Sequence, residues 1–102
     1  MILRIFRAKI REGRAAEFKR MVQEQSIPWL ERSDGMLGYF PGGPMDDSSR
    51  EFVMVSLWRD VEALKAFAGE AWQTPMATEE EAPLIEKMFT DHYVRFDKVP
   101  AA

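Results

Sequence analysis

The chain has 102 residues, 46% of them apolar and 30% charged, with a formal net charge of −3 and no cysteine. These values predict one soluble globular domain over residues 1–102, and without a basic stripe they disfavour nucleic acid and anionic membranes as partners. The absence of cysteine excludes disulfides, thiolate nucleophiles and zinc–thiolate sites, and it fits a cytoplasmic protein.

The first third of the chain predicts a strand followed by a broken helix. The segment from Ile2 to Ile10 is rich in Ile, Leu and Phe, which favours a strand. Apolar residues then recur at helical spacing from Arg14, after the punctuating Gly13. Pro28 cannot donate a backbone hydrogen bond, so we expect the helix to break there and a short second turn to follow.

Two predicted strands flank a loop in the middle of the chain. Met36 to Phe40 predicts a short second strand, and Phe52 to Trp58 has the clearest strand pattern. The loop between them, Pro41 to Arg50, is rich in Gly, Pro, Asp and Ser. Its acidic pair, Asp46 and Asp47, lacks the ligand spacing of a calcium loop, so no metal site is expected there.

The last third predicts two helices and a final strand. Asp60 is a favourable N-cap for a helix that extends to Trp72. Thr78 and Glu81 have capping-box spacing for the start of a short helix, although Pro83 could instead place that start at Ala82 and Pro83. The acidic run from Glu79 to Glu81 is interpreted as its solvated start. The apolar face of this short helix would contain Leu84, Ile85, Met88 and Phe89. His92 to Val99 predicts the last strand.

This order of elements predicts an α+β fold of the ferredoxin-like βαββαβ type, with both main helices on one face of a single antiparallel sheet. Both faces of the third strand are apolar, since Val53, Val55 and Leu57 alternate with Phe52, Met54, Ser56 and Trp58. We expect the face of Phe6, Met54 and Trp58 to stay uncovered by the helices. A second copy would pack there and give a two-fold homodimer, and the alternative partner is a different protein.

Five short segments resemble a known family. They are KIREGRAAEF (9–18), SLWRDVEALKAF (56–67), FAGEAW (67–72), EEEAPL (79–84) and the pair His92–Tyr93. Together they are similar to the antibiotic biosynthesis monooxygenases over nearly the whole chain. The resemblance implies a dimeric α+β barrel with a cavity between sheet and helices in each subunit. It also implies relatives that oxygenate aromatic phenols, anthrones or quinols without a cofactor, relatives that degrade haem, and many without a known activity.

The haem-degrading members of that family use an Asn in the first strand, and a Trp and a His on and after the second helix. Counted from the glycine that follows the first strand, these positions fall on Phe6, on Phe67 and near Met76 or Ala77. Because all three functional groups are missing, the resemblance implies no haem degradation of that type and no cofactor.

Three polar residues, His92, Tyr93 and Arg4, are the candidates for chemistry. A cofactor-free oxygenase must deprotonate its substrate and stabilise the anion. His92, the one histidine, could be the base or could bond at a strand edge or dimer seam. Tyr93 could donate to an oxyanion or simply pack. Arg4 could hold a phenolate or carboxylate of a ligand, pair with an acid across the dimer, or extend to solvent.

An aromatic ligand would need a mostly apolar pocket. The residues that we expect to line it are Phe6, Met54, Trp58, Phe67 and Trp72, although the tryptophans could instead belong to the plain core. The sequence therefore predicts a cytoplasmic, homodimeric monooxygenase without metal or flavin, acting on a small hydrophobic aromatic or quinol-like substrate. The alternatives are a non-enzymatic dimer that binds a small molecule and a structural dimer whose cavity is filled by side chains.

Overall fold

The computed structural model describes residues 1–97 as one four-stranded sheet with helices on one side. The strands are β1 (Ile2–Ile10), β2 (Met36–Gly42), β3 (Glu51–Trp58) and β4 (Ile85–Val94). The helices are α1 (Ala15–Met21), α2 (Ile27–Glu31) and α3 (Val61–Ala68), with a π-helical turn over Val22–Ser26 and a 3-10 turn over Ala82–Leu84. The strands are antiparallel in the order β2-β3-β1-β4, which confirms the predicted ferredoxin-like α+β fold.

No non-helical break interrupts the chain at Pro28, but the predicted short second segment is present, because Pro28 lies in the first turn of α2, which carries Trp29 and Leu30. A wider turn precedes the proline, in which Ile27 donates its backbone N–H to the carbonyl of Val22, five residues back. This turn changes the carbonyl pairing just where Pro28 supplies no N–H and where its ring needs room. None of the helices within residues 1–97 is long and apolar enough to cross a membrane.

Helix α3 begins as predicted and ends early. Asp60 is its N-cap, and the Asp60 carboxylate accepts a hydrogen bond from the backbone N–H of Ala63 at 2.8 Å. The helix ends at Ala68 because Gly69 follows with a φ of 85°, a left-handed conformation that glycine adopts without strain. Trp72 therefore lies in the turn after the helix, and the predicted extension to Trp72 is wrong.

Strand β4 begins at Ile85, so the predicted short helix is wrong beyond its first turn. The chain is helical only over Ala82–Leu84, and the residues from Ile85 onward pair with β1 instead. Without β4, the unpaired N–H and C=O groups of β1 would form an edge of the sheet, and this pairing satisfies them. The strand ends at Val94, and the predicted end at Val99 lies outside the described residues.

One face of the sheet, the covered face, carries the helices and the main core. Its residues are Arg4, Phe6, Ala8, Ile10, Met54, Ser56, Trp58, Thr90 and His92. Phe18 of α1 clusters with Ala8 and Ile10, and Leu64 of α3 clusters with Trp58. The expectation that Phe6, Met54 and Trp58 stay uncovered is therefore wrong.

The opposite face, the open face, has no helix over it within residues 1–97. Its apolar and aromatic residues are Leu3, Ile5, Phe40, Val53, Val55, Leu57, Phe89 and Tyr93. Phe40 is 65% exposed and Phe89 is 45% exposed. The period of two sorts side chains correctly into two faces, but it does not say which apolar face the helices cover. The right-handed crossovers decide that.

Candidate functional site

A cavity of about 630 Å³ lies between the helices and the covered face. Its volume falls within the range of about 300–1,000 Å³ that is typical of small-molecule sites. Most of its wall is apolar, and the larger apolar side chains include Phe6, Phe18, Val22, Met54, Phe67 and Met76. Four charged residues also line it, and two of these, Lys19 and Asp47, are exposed at the surface. The other two, Arg4 and Glu81, are buried.

Arg4 is a buried cation without a carboxylate partner. The residue is only 6% exposed, yet no Asp or Glu within residues 1–97 lies within ion-pair distance of it. Its Nη1 donates to the backbone carbonyl of Trp72 at 2.7 Å and lies 3.0 Å from Nε2 of His92. Burial lowers the pKa of Arg4, because the charged form loses solvation. An anion in the cavity would relieve that penalty.

His92 is a direct hydrogen-bond partner of Arg4. The two residues are directly paired across β1 and β4, which brings their side chains together on the covered face. A guanidinium only donates hydrogen bonds, so Nε2 of His92 must accept, and we assign the neutral ring with its proton on Nδ1. Burial first, and then the charge of Arg4, lowers the pKa of His92, while Asp91 acts in the opposite direction. His92 is absent from the cavity wall.

The two predicted tryptophans, Trp58 and Trp72, are not part of the cavity wall. Trp58 is fully buried and donates from Nε1 to the hydroxyl of Ser56 at 2.9 Å. Its ring lies 4.8 Å from the ring of Phe67, which does line the cavity. Trp72 places its ring edge-on to His92 at 4.9 Å and supplies its carbonyl to Arg4. Both tryptophans therefore support cavity residues without reaching the cavity.

The remaining predicted residues divide between the two faces. Phe6, Met54 and Phe67 line the cavity, and these side chains form part of its apolar wall. Tyr93 pairs with Leu3 on the open face and is 54% exposed, so the fold does not bring it together with Arg4 and His92.

Glu81 is a cavity residue that sequence reasoning missed. It is 6% exposed, so its interpretation as part of a solvated acidic run is wrong, whereas Glu79 and Glu80 are exposed. Its carboxylate accepts from the hydroxyl of Ser26 at 3.0 Å, across 55 positions of sequence. Its backbone N–H donates to the hydroxyl of Thr78 at 3.1 Å, which is half of the capping-box pattern. That spacing was the available signal, but it carries no information on the contact with Ser26.

The positions that the resemblance aligns with the haem-degrading groups lie together in the structure. Phe6, Phe67, Met76 and Ala77 all line the cavity. The same sites around the cavity therefore carry apolar side chains in this chain. Within residues 1–97 no group of three or more His, Cys, Asp or Glu side chains is arranged to hold a metal ion.

Solved structures from several bacteria share this fold at low sequence identity. A protein from Nitrosomonas europaea assigned to the antibiotic biosynthesis monooxygenases superposes with a TM-score of 0.76 at 15% identity, over 95% of this chain and 100% of that one. PA3566 from Pseudomonas aeruginosa gives a TM-score of 0.73 at 20% identity, over 94% of each chain. The N63A mutant of SnoaB, a cofactor-independent oxygenase from Streptomyces nogalater, gives 0.71 at 14% identity, over 98% and 97%.

Sequence comparison adds the family. Among curated proteins no relative matches the chain. The family model described as antibiotic biosynthesis monooxygenase matches residues 1–74, which include β1, all three helices, β2, β3 and the cavity residues that they carry. The chain therefore belongs to the antibiotic biosynthesis monooxygenase family.

Proposed function

We propose that the protein is a cofactor-independent monooxygenase that acts on a small hydrophobic aromatic or quinol-like substrate in the cavity. The observation that supports this most strongly is a ligand-sized, mostly apolar cavity with a buried guanidinium, Arg4, in its wall. Membership of a monooxygenase family, and a fold shared with a cofactor-independent oxygenase, support the reaction class. A cavity of this size argues against the alternative of a dimer packed solid by side chains.

The proposed reaction proceeds through a substrate anion. An activated ring CH₂, as in an anthrone or the keto form of a quinol, loses a proton to a water molecule, and Arg4 stabilises the negative charge on the substrate oxygen. Molecular oxygen then reacts with the anion. One oxygen atom replaces the two hydrogens as C=O, and the other leaves as water. The substrate supplies all four electrons, so no external reductant is consumed.

In this proposal the predicted polar residues have different tasks. Arg4 touches the substrate, whereas His92 positions Arg4 because its Nε2 is already engaged by the guanidinium. His92 could act as the predicted base only after releasing Arg4. Phe6, Met54 and Phe67 would contact the aromatic rings. Tyr93 takes no part, since it lies on the open face.

Oxygen uptake with a simple quinol or anthrone tests the reaction. Arg4→Ala should lower turnover by about 10²–10³-fold, which is the usual loss when a donor to a developing oxyanion is removed. Arg20→Ala, at an exposed position of α1 outside the cavity wall, is the matched control and should keep full turnover. Saturable binding without any oxygen uptake would overturn the reaction and favour the non-enzymatic binding protein.

We also propose that two copies pack through their open faces to form a homodimer. The motivation is the row of half-buried and exposed apolar side chains on this face, including Ile5, Val55 and Phe40. Val55→Asp would place a charge at the centre of the face, and light scattering should then give half the mass of the unsubstituted protein. Met45→Asp, in an exposed loop, is the control and should leave the mass unchanged. A monomeric unsubstituted protein would contradict the proposal.

A further inference from the structure

Two buried groups of opposite charge line the cavity without meeting each other. Arg4 comes from β1, and Glu81 comes from the segment just before the 3-10 turn. Each is 6% exposed, and no ion pair joins them within residues 1–97. Buried charges are normally paired because desolvation is costly. Their separation inside one cavity therefore requires an explanation beyond stability.

Two of the three guanidinium nitrogens of Arg4 have no hydrogen-bond partner among the described residues. Both of its hydrogen bonds, to the Trp72 carbonyl and to His92, involve Nη1. Nε and Nη2 make no hydrogen bond with any described residue. Neither nitrogen is fully enclosed, because the hydroxyl of Thr90 is the one enclosed side-chain polar atom without a partner in residues 1–97. A guanidinium that lines a cavity and is fixed at one nitrogen, with its other donors not engaged by the described residues, is suited to binding an anionic oxygen.

One carboxylate oxygen of Glu81 is not engaged by the described residues. Its Oε1 accepts from Ser26, and Oε2 has no hydrogen-bond partner among the described residues while remaining accessible. Its neighbours Glu79 and Glu80 are exposed, so the burial of Glu81 is specific to that position. A carboxylate that lines an apolar cavity and keeps one oxygen without a partner among the described residues would accept a hydrogen bond from a ligand hydroxyl and would repel a second anionic group.

We infer that the ligand of this cavity is an aromatic molecule with an anionic oxygen that Arg4 binds and a separate hydroxyl that donates to Glu81. The inference rests on the proposed function, because it names the substrate class for the same cavity. The anionic oxygen could belong to a carboxylate or to an ionised phenol, which share the chemistry that Arg4 recognises. Phe6 and Met54, which also line the cavity, would contact the rings.

A set of four naphthalene compounds tests both contacts on the unsubstituted protein. The parent is 6-hydroxy-2-naphthoate, and its methyl ester lacks the anion while 6-methoxy-2-naphthoate lacks the donor. Binding is measured by calorimetry under argon, so that no turnover can occur. The parent should bind at least about tenfold more tightly than either derivative, since each lost contact leaves a buried charge unpaired. The fourth compound, 2,6-dihydroxynaphthalene, should bind more tightly as rising pH ionises its hydroxyl if the natural anion is a phenolate.

Two variants assign the contacts. Arg4→Met should abolish the preference for acid over ester and keep the preference for hydroxyl over methoxy, and Glu81→Met should do the reverse. Arg20→Met and Glu80→Met are the matched controls and should keep both preferences, because these residues are exposed and lie outside the cavity wall. Arg4→Lys keeps a donor and Glu81→Gln keeps an acceptor. If the methionine variants do not fold, these two variants replace them, and each should weaken the preference that depends on its own side chain.

Three results would overturn the inference: equal binding of parent, ester and ether, no binding of the parent at millimolar concentration, or preferences that survive both methionine variants. These results are distinct from a failure of the proposed function. The expected binding pattern under argon, together with no oxygen uptake in air, would retain the ligand class and remove the oxygenase. Oxygen uptake in air without this binding pattern would retain the oxygenase and remove the ligand class.

Discussion

Arg4 and Arg7 lie three residues apart on β1 and have opposite surroundings. Arg7 points to the open face, where its guanidinium lies 3.6 Å from Glu51, 3.6 Å from Asp91 and 5.0 Å from the ring of Phe89. Arg4 points to the covered face, where it is buried and its partners among the described residues are neutral. An arginine therefore forms ordinary surface ion pairs on one face of the strand. On the other face, an arginine has no counter-charge within residues 1–97.

The difference shows that the face, rather than the residue type, decides what a charged side chain can do. The pairs of Arg7 are half-exposed, and pairs of that kind contribute about 0–1 kcal/mol. Arg4 loses solvation without gaining a counter-charge from residues 1–97, so its surroundings favour an anion from outside.

Trp58→Ala should lower the free energy of unfolding by about 3–5 kcal/mol, the usual loss for a large aromatic side chain in a core. Trp58 is fully buried on the covered face and clusters with Leu64. Phe40→Ala, on the open face, should cost less than about 1 kcal/mol at high dilution, because Phe40 is 65% exposed. Urea denaturation at several protein concentrations measures both.

The concentration dependence is the part of this experiment that could break the comparison. The loss in Trp58→Ala should be the same at every protein concentration, since its contacts lie within one subunit. A loss in Phe40→Ala that grows with protein concentration would indicate a second copy on the open face. Equal losses at high dilution would contradict the division into a covered and an open face.

Much of the fold was predictable because strand periodicity and the element order are local properties of the sequence. The alternation of residues in β1 and β3 sorts Arg4 from Arg7 and Trp58 from Leu57. The sequence did not say which face the helices cover, since both faces are apolar and the crossover geometry decides. The end of the second helix and the start of β4 were missed because Gly69 and the pairing with β1 override the helical spacing of the apolar residues.

The candidate site was predictable only in part. Arg4 could be found because a charged residue in an apolar strand is unusual, and its pairing with His92 follows from strand register. Glu81 could not be found, since two exposed glutamates precede it and its partner Ser26 is 55 positions away. Long-range contacts of that kind depend on where the chain returns after α3, and no local pattern encodes that path.

Ser56→Ala should have the second largest effect on stability. Ser56 is 2% exposed, and its hydroxyl accepts from Nε1 of Trp58. Its removal leaves a buried N–H unpaired, which costs about 1–3 kcal/mol. Urea denaturation should show a smaller loss when Ser56→Ala is made in a Trp58→Phe background, because both partners are then absent. An equal loss in both backgrounds would show that the hydrogen bond does not contribute.

A smaller effect is expected from the titration of His92. Its pKa is lowered in the folded chain, so the unfolded chain, in which histidine titrates near about 6.5, binds the proton more readily. Stability should be complete above that pH and should fall as the pH drops toward the lower folded value. His92→Gln, which keeps an acceptor for Arg4, should flatten this slope in denaturation measured across the window. Because the chain has one histidine, an unchanged slope would contradict the assignment.

Thr90→Val should have the smallest effect, and its sign is informative. Thr90 pairs with Phe6 on the covered face, and its enclosed hydroxyl has no hydrogen-bond partner within residues 1–97. Valine has nearly the same shape without the unpaired group, so the free energy of unfolding should stay constant or rise by up to about 1 kcal/mol. Ser56→Ala is the contrast, since that hydroxyl on the same face is paired. A loss of more than about 1 kcal/mol in Thr90→Val would mean that the hydroxyl bonds to a water or ligand held at the cavity side of the sheet, which would extend the polar site from Arg4 along β4.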